Sequence, residues 1–286
     1  MTDPGEPTRP GGPAGGLAAC VRHPDRPTGL SCTRCGRPAC VDCLREASVG
    51  YQCVDCVAES GRTVRRGTTI AGARPIAKPV VVPILIALNA AVFLLTVVQA
   101  RSLNGNDGSD LFGRWSLVPG LVANGEWWRV VTAGFLHFGP LHLLFNMLAL
   151  WVIGRDIELI LGRTRFITVY LVSLLGGSAA ALVFYGSRAE VAGASGAVFG
   201  LMGGLVVLMR RMRAPMSQII MLIAVNIAIS IVLPGVSLIG HLGGLVVGAI
   251  ATAIMVYAPA RNRIPIQVGA TALLTAILVV VTIFAA

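Results

Sequence analysis

The sequence predicts an all-α polytopic membrane protein that is preceded by a small cysteine-rich module. The mean hydropathy is +0.77, and 55% of the 286 residues are hydrophobic whereas only 13% are charged. A soluble domain of this length does not need so much apolar surface, so the apolar segments are expected to span a bilayer. All seven cysteines lie between Cys20 and Cys56, which separates this short segment from the membrane part.

Composition divides the chain into five regions. Residues 1–19 are rich in proline and glycine and are expected to form a disordered tail with no signal peptide. The cysteine module at 20–56 and a basic linker at 57–79 precede a six-helix core at 80–260 and a seventh helix at 261–286. The apolar segments of spanning length are 80–100, 135–154, 166–186, 192–209, 216–234, 238–257 and 264–286.

Arginines are concentrated in alternate loops of the membrane part. The linker before the first span and the loops after the second, fourth and sixth spans are arginine-rich, whereas the loops after the third and fifth spans are not. The positive-inside rule therefore predicts a cytoplasmic N-terminus and an external C-terminus, in the cell (plasma) membrane. The net charge of +10 is explained by this topology, so no nucleic acid is expected as a partner.

Two polar side chains begin apolar helices in the second half of the chain. Ser195 follows Gly193 and Ala194 at the start of the fourth span, and His241 lies early in the sixth. A serine beside glycine can serve helix packing alone, and an intramembrane histidine can serve an interhelical hydrogen bond. Together they indicate a nucleophile and its general base. No Asp or Glu follows Glu190, so a dyad is predicted rather than a triad completed by an acid.

Glycines at every fourth position support this pairing. Such stripes allow two membrane helices to approach backbone to backbone, so the fourth and sixth spans are expected to touch. Phe199, one turn after Ser195, is expected to lie against the His241 ring. The two stripes consist of Gly196, Gly200 and Gly204 on the fourth span and Gly240, Gly244 and Gly248 on the sixth.

The second span and the loop before it carry further polar residues. His142 and Asn146 are spaced i, i+4 and project from one face, where they either satisfy each other or stabilise an oxyanion together with the Ser195 N–H. His137 is assigned a structural or interfacial role. The Glu126–Arg129 segment is either an interfacial aromatic anchor or an element of loop folding.

These motifs, in this order, resemble the rhomboid family of intramembrane serine proteases over residues 80–260. The resemblance implies a rhomboid-like six-helix core, a Ser195/His241 dyad and no catalytic cofactor. It also implies cleavage of transmembrane substrate proteins near the outer membrane face. Many members have tyrosine where this chain has Phe199, which keeps ring stacking but lacks the hydroxyl. The matching motifs are Trp128–Arg129, His142-x-x-x-Asn146, Gly193-x-Ser195-Gly196 and His241-x-x-Gly244-x-x-x-Gly248.

The cysteine module contains four ligand pairs, enough for two structural, tetrahedral Zn²⁺ sites. The odd cysteine count and a cytoplasmic location disfavour the alternative of a disulfide framework. Spacing alone leaves the pairing open, but a resemblance to B-box-type zinc fingers implies a cross-braced arrangement. That arrangement assigns Cys20, His23, Cys40 and Cys43 to one ion and Cys32, Cys35, Cys53 and Cys56 to the other.

Two other functional classes compete with a protease. A catalytically inactive relative could bind membrane helices and act as an adaptor, although all four catalytic positions are filled. A small-solute transporter usually needs a buried acidic or basic relay, which the later spans lack. The predicted partners are transmembrane substrate proteins and membrane lipid, and the zinc-stabilised module is interpreted as a site that binds a protein partner or regulates access.

Overall fold

The computed structural model describes residues 16–63, 67–232 and 236–285. The chain divides into two compact units, one formed by the described residues up to Thr63 and one by those from Gly67 onward. Most of the tail predicted at residues 1–19 lies outside the described residues, and so does part of the basic linker.

The first unit is a small α/β module whose interior consists mostly of thiols. Strands β1 (Ala19–Cys20) and β2 (His23–Pro27) pair in antiparallel fashion, as do β3 (Leu44–Glu46) and β4 (Tyr51–Cys53). Helix α1 (Val54–Thr63) follows and extends beyond the predicted module end at residue 56. A core this small needs a metal or another cross-link to be stable. Its buried apolar residues are Cys20, Cys32, Ala39, Cys40, Cys43, Leu44, Cys53 and Cys56.

The second unit is helical. Helix α6 (Gly139–Ala149) continues through a π-helical turn at Leu150–Gly154 into α7 (Arg155–Leu161), so these segments form one long helix. The helices are α2 (Val81–Ala100), α3 (Asp110–Trp115), α4 (Pro119–Ala123), α5 (Arg129–Thr132), α6 (Gly139–Ala149), α7 (Arg155–Leu161), α8 (Arg163–Phe184), α9 (Ser195–Met212), α10 (Ser217–Val232), α11 (Leu238–Tyr257) and α12 (Arg263–Ala285).

The described residues contain five helices long and apolar enough to cross a membrane, and up to six if one bent pair counts as a span. The bent pair consists of Arg129–Phe135 and Gly139–Leu161, which meet at 92°. The predicted segment 216–234 contains α10, which has only 16 described residues and is shorter than the others. The polytopic helical fold is therefore confirmed, whereas the count of seven spans is not confirmed by the described residues.

The break in the bent pair has a local cause. Gly139 has φ +74°, which favours glycine, and Pro140 follows it in the first turn of α6. The side chain of Asn106, in the preceding loop, accepts a hydrogen bond from the Gly139 N–H at 3.0 Å and donates to the His137 carbonyl at 2.9 Å. These bonds satisfy backbone groups that the interrupted helix leaves free.

Arg129 holds the long loop between the first two predicted spans. Its buried guanidinium donates to the carbonyls of Gly113 and Ser116 at 2.8 and 2.7 Å and forms an ion pair with Glu126. The neighbouring Trp128 indole donates to the Arg114 carbonyl at 3.0 Å. Of the two sequence interpretations, these contacts favour a folding role for the Trp128–Arg129 pair.

Helices α9 and α11 pack backbone to backbone, as their glycine stripes predicted. A Cβ atom on Gly244 would collide with the carbonyl of Gly196, and one on Gly248 would collide with the backbone of Gly200. On the other side, α8 contributes Gly177, where a Cβ would lie 2.9 Å from the Gly240 carbonyl oxygen. The three helices form the centre of the membrane unit.

Two buried polar residues, Glu158 and Gln267, form hydrogen bonds that stabilise the positions of α2 and of the segment before it. The Glu158 carboxylate on α7 accepts hydrogen bonds from the first N–H groups of α2, at Val80, Val81 and Val82, over 2.7–3.0 Å. Gln267 on α12 donates to the Ala71 carbonyl at 3.2 Å. Ala71 lies in the predicted linker, so the described part of the linker from Gly67 packs onto the membrane unit instead of being free.

Candidate active site and metal-binding clusters

Ser195 lies at the first position of α9, where its side chain is half-buried. The first N–H groups of a helix have no intrahelical acceptor and favour negative charge. Gly193, two residues earlier, has φ +132°, a conformation that side chains rarely adopt. A Cβ there would lie 3.6 Å from Ser195 Oγ and 2.9 Å from the His142 ring, so only glycine leaves this space open.

His241 is buried on α11 and faces the same space as Ser195. The Phe199 ring stacks on its imidazole with centroids 4.0 Å apart and planes inclined by 13°, as the sequence predicted. Ser195 and Phe199 are one turn apart on one face of α9, so the stacking holds His241 beside Ser195. Ser195 and His241 both line a cavity of about 30 Å³, and Ser178 and Ser237 also line it. A cavity of that size can hold one water molecule.

His142, on α6, presents one edge of its ring to Gly193, which lines this cavity. The Phe138 N–H donates to His142 Nδ1 at 3.2 Å, so in the neutral imidazole the proton is on Nε2. The Cε1 and Nε2 atoms are the ones nearest to Gly193. An N–H donor therefore points toward the space beside Ser195 Oγ.

Asn146 and His137 lie near His142 but make different contacts. The Asn146 amide donates to the His142 carbonyl at 2.9 Å, which uses one of its two N–H bonds. His137 is fully buried and meets the His142 ring edge-on, with centroids 5.1 Å apart. These positions agree with a packing role for His137, and they place Asn146 one turn beyond His142 on the same helix.

One contact at the site escaped the sequence analysis. Ser230 on α10 is buried, and its Oγ lies 2.7 Å from His241 Nδ1. The later spans contain no carboxylate, so their sequence predicted that packing alone orients the imidazole. A polar pair at i, i+4 in an otherwise apolar helix, Asn226 and Ser230, was the signal that could have revealed it.

The first unit brings its eight predicted ligands into two clusters, in the cross-braced pairing. His23 Nδ1 lies 3.9, 3.4 and 3.3 Å from the sulfurs of Cys20, Cys40 and Cys43. In the second cluster, Cys35 Sγ and Cys53 Sγ are 3.8 Å apart. A tetrahedral zinc ion with Zn–S bonds of about 2.3 Å separates its sulfur ligands by about 3.8 Å, so both clusters fit this metal.

Backbone hydrogen bonds prepare two of these thiols for a metal. N–H donation from Cys40 lowers the pKa of the Cys20 thiol to about 6, and donation from Cys53 lowers that of Cys32 to about 6. The thiolate is the form that binds metal. All seven cysteines, which belong to the described residues, are free of disulfide bonds.

Comparison with known proteins agrees with the geometry of the membrane unit. Residues 124–258 match the family model described as the Rhomboid domain. The chain is 38% identical over 181 residues to the rhomboid protease GluP of Bacillus subtilis, covering 62% of this chain and 35% of that protein. It is 31% identical to RHOMBOID-like protein 4 of Arabidopsis thaliana, covering 63% of this chain and 54% of that protein.

A third relative is matched over more of its length. The chain is 29% identical to the rhomboid protease AarA of Providencia stuartii, covering 67% of this chain and 79% of that protein. The matches to GluP and RHOMBOID-like protein 4 cover about a third and about half of those proteins. The part of the chain that contains Ser195, His241 and His142 therefore matches the Rhomboid domain model and is similar in sequence to proteins named as rhomboid proteases.

Proposed function

We propose that this chain is an intramembrane serine endopeptidase that cleaves transmembrane proteins by a Ser195/His241 dyad. The observation that carries the proposal is the shared cavity, which Ser195, His241 and Gly193 line, with the Nε2 edge of His142 next to Gly193. The similarity to GluP and AarA, both named as rhomboid proteases, supports the same reaction class.

The reaction begins with attack of Ser195 Oγ on the scissile carbonyl carbon while His241 accepts the hydroxyl proton. The new C–O bond places negative charge on the carbonyl oxygen. We assign the His142 Nε2–H, the Ser195 backbone N–H and the second N–H of the Asn146 amide as the donors for this oxyanion. His241 then returns the proton to the leaving amine, which leaves an acyl-enzyme.

Water completes the cycle. The cavity beside Ser195 has room for one water molecule, which His241 deprotonates as the water attacks the acyl carbon. The substrate helix must first unwind locally, because a peptide bond inside a helix is shielded by its own hydrogen bonds. Small or helix-breaking residues near the cut lower that cost.

The proposal is tested with purified protein in liposomes that contain a transmembrane test substrate. We expect the wild type to cleave, and the Ser195→Ala and His241→Ala variants to be inactive while unfolding at the wild-type temperature. A fluorophosphonate probe, which labels activated serines, should label the wild type and neither variant. A folded wild type that neither cleaves nor reacts with the probe would refute the protease and favour the adaptor.

For the first unit, the same proposal assigns two structural Zn²⁺ ions to the Cys20/His23/Cys40/Cys43 and Cys32/Cys35/Cys53/Cys56 clusters. The ligand chemistry and the spacing of the sulfur and nitrogen atoms support zinc. Metal analysis of the purified chain should find two zinc ions per molecule, and one ion or none would contradict the assignment. The protein partner of this module, the plasma-membrane location and the orientation of the termini stay predictions.

A further inference from the structure

The only side chain that hydrogen-bonds to His241 among the described residues is Ser230, on a different helix. Its Oγ lies 2.7 Å from His241 Nδ1, within the range of a good hydrogen bond. Ile219 and Ser230 are the two buried residues of α10, and Ile223 and Ile227 pack against the core while partly exposed. One of the two buried side chains of α10 thus contacts the imidazole.

The direction of this hydrogen bond follows from the second contact of Ser230. The hydroxyl also lies 2.7 Å from the Asn226 carbonyl oxygen, to which it donates. A serine hydroxyl has one hydrogen, and a carbonyl cannot donate. Ser230 Oγ must therefore accept the hydrogen bond from His241, so the imidazole proton is on Nδ1 and the lone pair is on Nε2.

Phe199 and Ser230 constrain different properties of the imidazole. Stacking on Phe199 holds the plane of the ring but leaves open which edge faces Ser195. The bond to Ser230 determines the edge and the tautomer together. In serine hydrolases a carboxylate usually orients the histidine and sets its tautomer. This chain has no acidic residue after Glu190.

We propose that Ser230 is the positioning residue of this active site, a neutral hydroxyl that orients His241 and keeps Nε2 unprotonated for its role as base. This inference rests on the proposed protease function. When Ser195 Oγ bonds to the scissile carbon, its proton moves to His241 Nε2. Ser230 continues to accept from Nδ1–H, and the Nε2 proton then moves to the leaving amine.

The kinetic test compares Ser230→Ala with a matched control, Ser173→Ala. Ser173 is also fully buried and bonds to the carbonyl four residues earlier, at 2.6 Å, but it lies on α8. We expect Ser230→Ala to lower kcat about tenfold or more, the rate equivalent of one lost hydrogen bond, with KM unchanged. Ser230→Thr, which keeps the hydroxyl, should restore most of the rate, and Ser173→Ala should keep it.

The spectroscopic test reads the tautomer without requiring activity. The chain has four histidines, so ¹⁵N-histidine NMR in detergent micelles resolves His241, assigned with the His241→Gln variant. We expect the wild type to carry the proton on Nδ1 and Ser230→Ala to shift it toward Nε2. A proton on Nε2 in the wild type would overturn the proposal, even if Ser230→Ala fails to fold.

The two proposals fail in different ways. If the wild type does not cleave but the Nδ1 proton is present and depends on Ser230, the protease function fails and the orienting contact stands. If the wild type cleaves and Ser230→Ala keeps both its kcat and its tautomer, the positioning role is overturned and the dyad stands.

Discussion

The replacement of Gly248 by alanine tests the closest helix contact of the membrane unit. The added Cβ would collide with three backbone atoms of Gly200, where no flexible side chain can move aside. Overpacking of a core costs typically 1–3 kcal/mol, and a backbone-to-backbone collision is expected at about 3 kcal/mol or above. For a unit of this size about 3 kcal/mol corresponds to a decrease in Tm of roughly 6–12 °C.

Thermal unfolding of the purified protein in a mild detergent measures this shift. Gly269→Ala is the matched control, since Gly269 lies within α12 and its Cβ would meet nothing within 4 Å. Alanine favours a helix over glycine by about 1 kcal/mol, so the control should unfold at or slightly above the wild-type temperature. Equal Tm values for Gly248→Ala and Gly269→Ala would refute the close packing of α9 and α11.

Three further perturbations address other parts of the chain. Glu158→Gln is expected to lower Tm in the same assay by the equivalent of about 1–3 kcal/mol, because three N–H groups at the start of α2 lose a charged acceptor. An unchanged Tm would contradict a stabilising role for the Glu158 carboxylate at the start of α2. Arg129→Lys is expected to speed limited proteolysis of the preceding loop, because an ammonium group cannot replace a planar guanidinium that bonds two carbonyls and a carboxylate. Resistance to the protease equal to that of the wild type would contradict the role of Arg129 in folding this loop. Lowering the pH from about 7 to about 5 should release zinc, since protons compete for thiols such as Cys20 and Cys32 whose pKa is about 6. A zinc-sensitive dye measures the release, and retention of both ions at about pH 5 would contradict competition by protons at these thiols.

Local patterns in the sequence were sufficient to predict several features of the fold. The apolar segments predicted a polytopic helical protein, and the glycine stripes predicted the contact between α9 and α11, because only glycine permits that approach. The position of Phe199, one turn after Ser195, predicted its stacking on His241. The spacing of the cysteines and His23 predicted two sets of ligands, since metal coordination requires four donors around one point.

Other features depend on contacts between residues far apart in the chain. The bend near Gly139 is stabilised by Asn106, so hydropathy alone did not distinguish the bent second span from a straight one. Gln267 binds the Ala71 carbonyl, so hydropathy alone did not show that this part of the linker is packed.

For the active site, the sequence by itself determined which residue types can carry the chemistry, Ser195 and His241, because reactive polar side chains are rare and costly in apolar helices. Only the tertiary structure decided how they are oriented. The bond from the Phe138 N–H determines the tautomer of His142, and the bond to Ser230 determines that of His241. A hydrogen bond between helices depends on their packing distance and rotation, which no local pattern encodes.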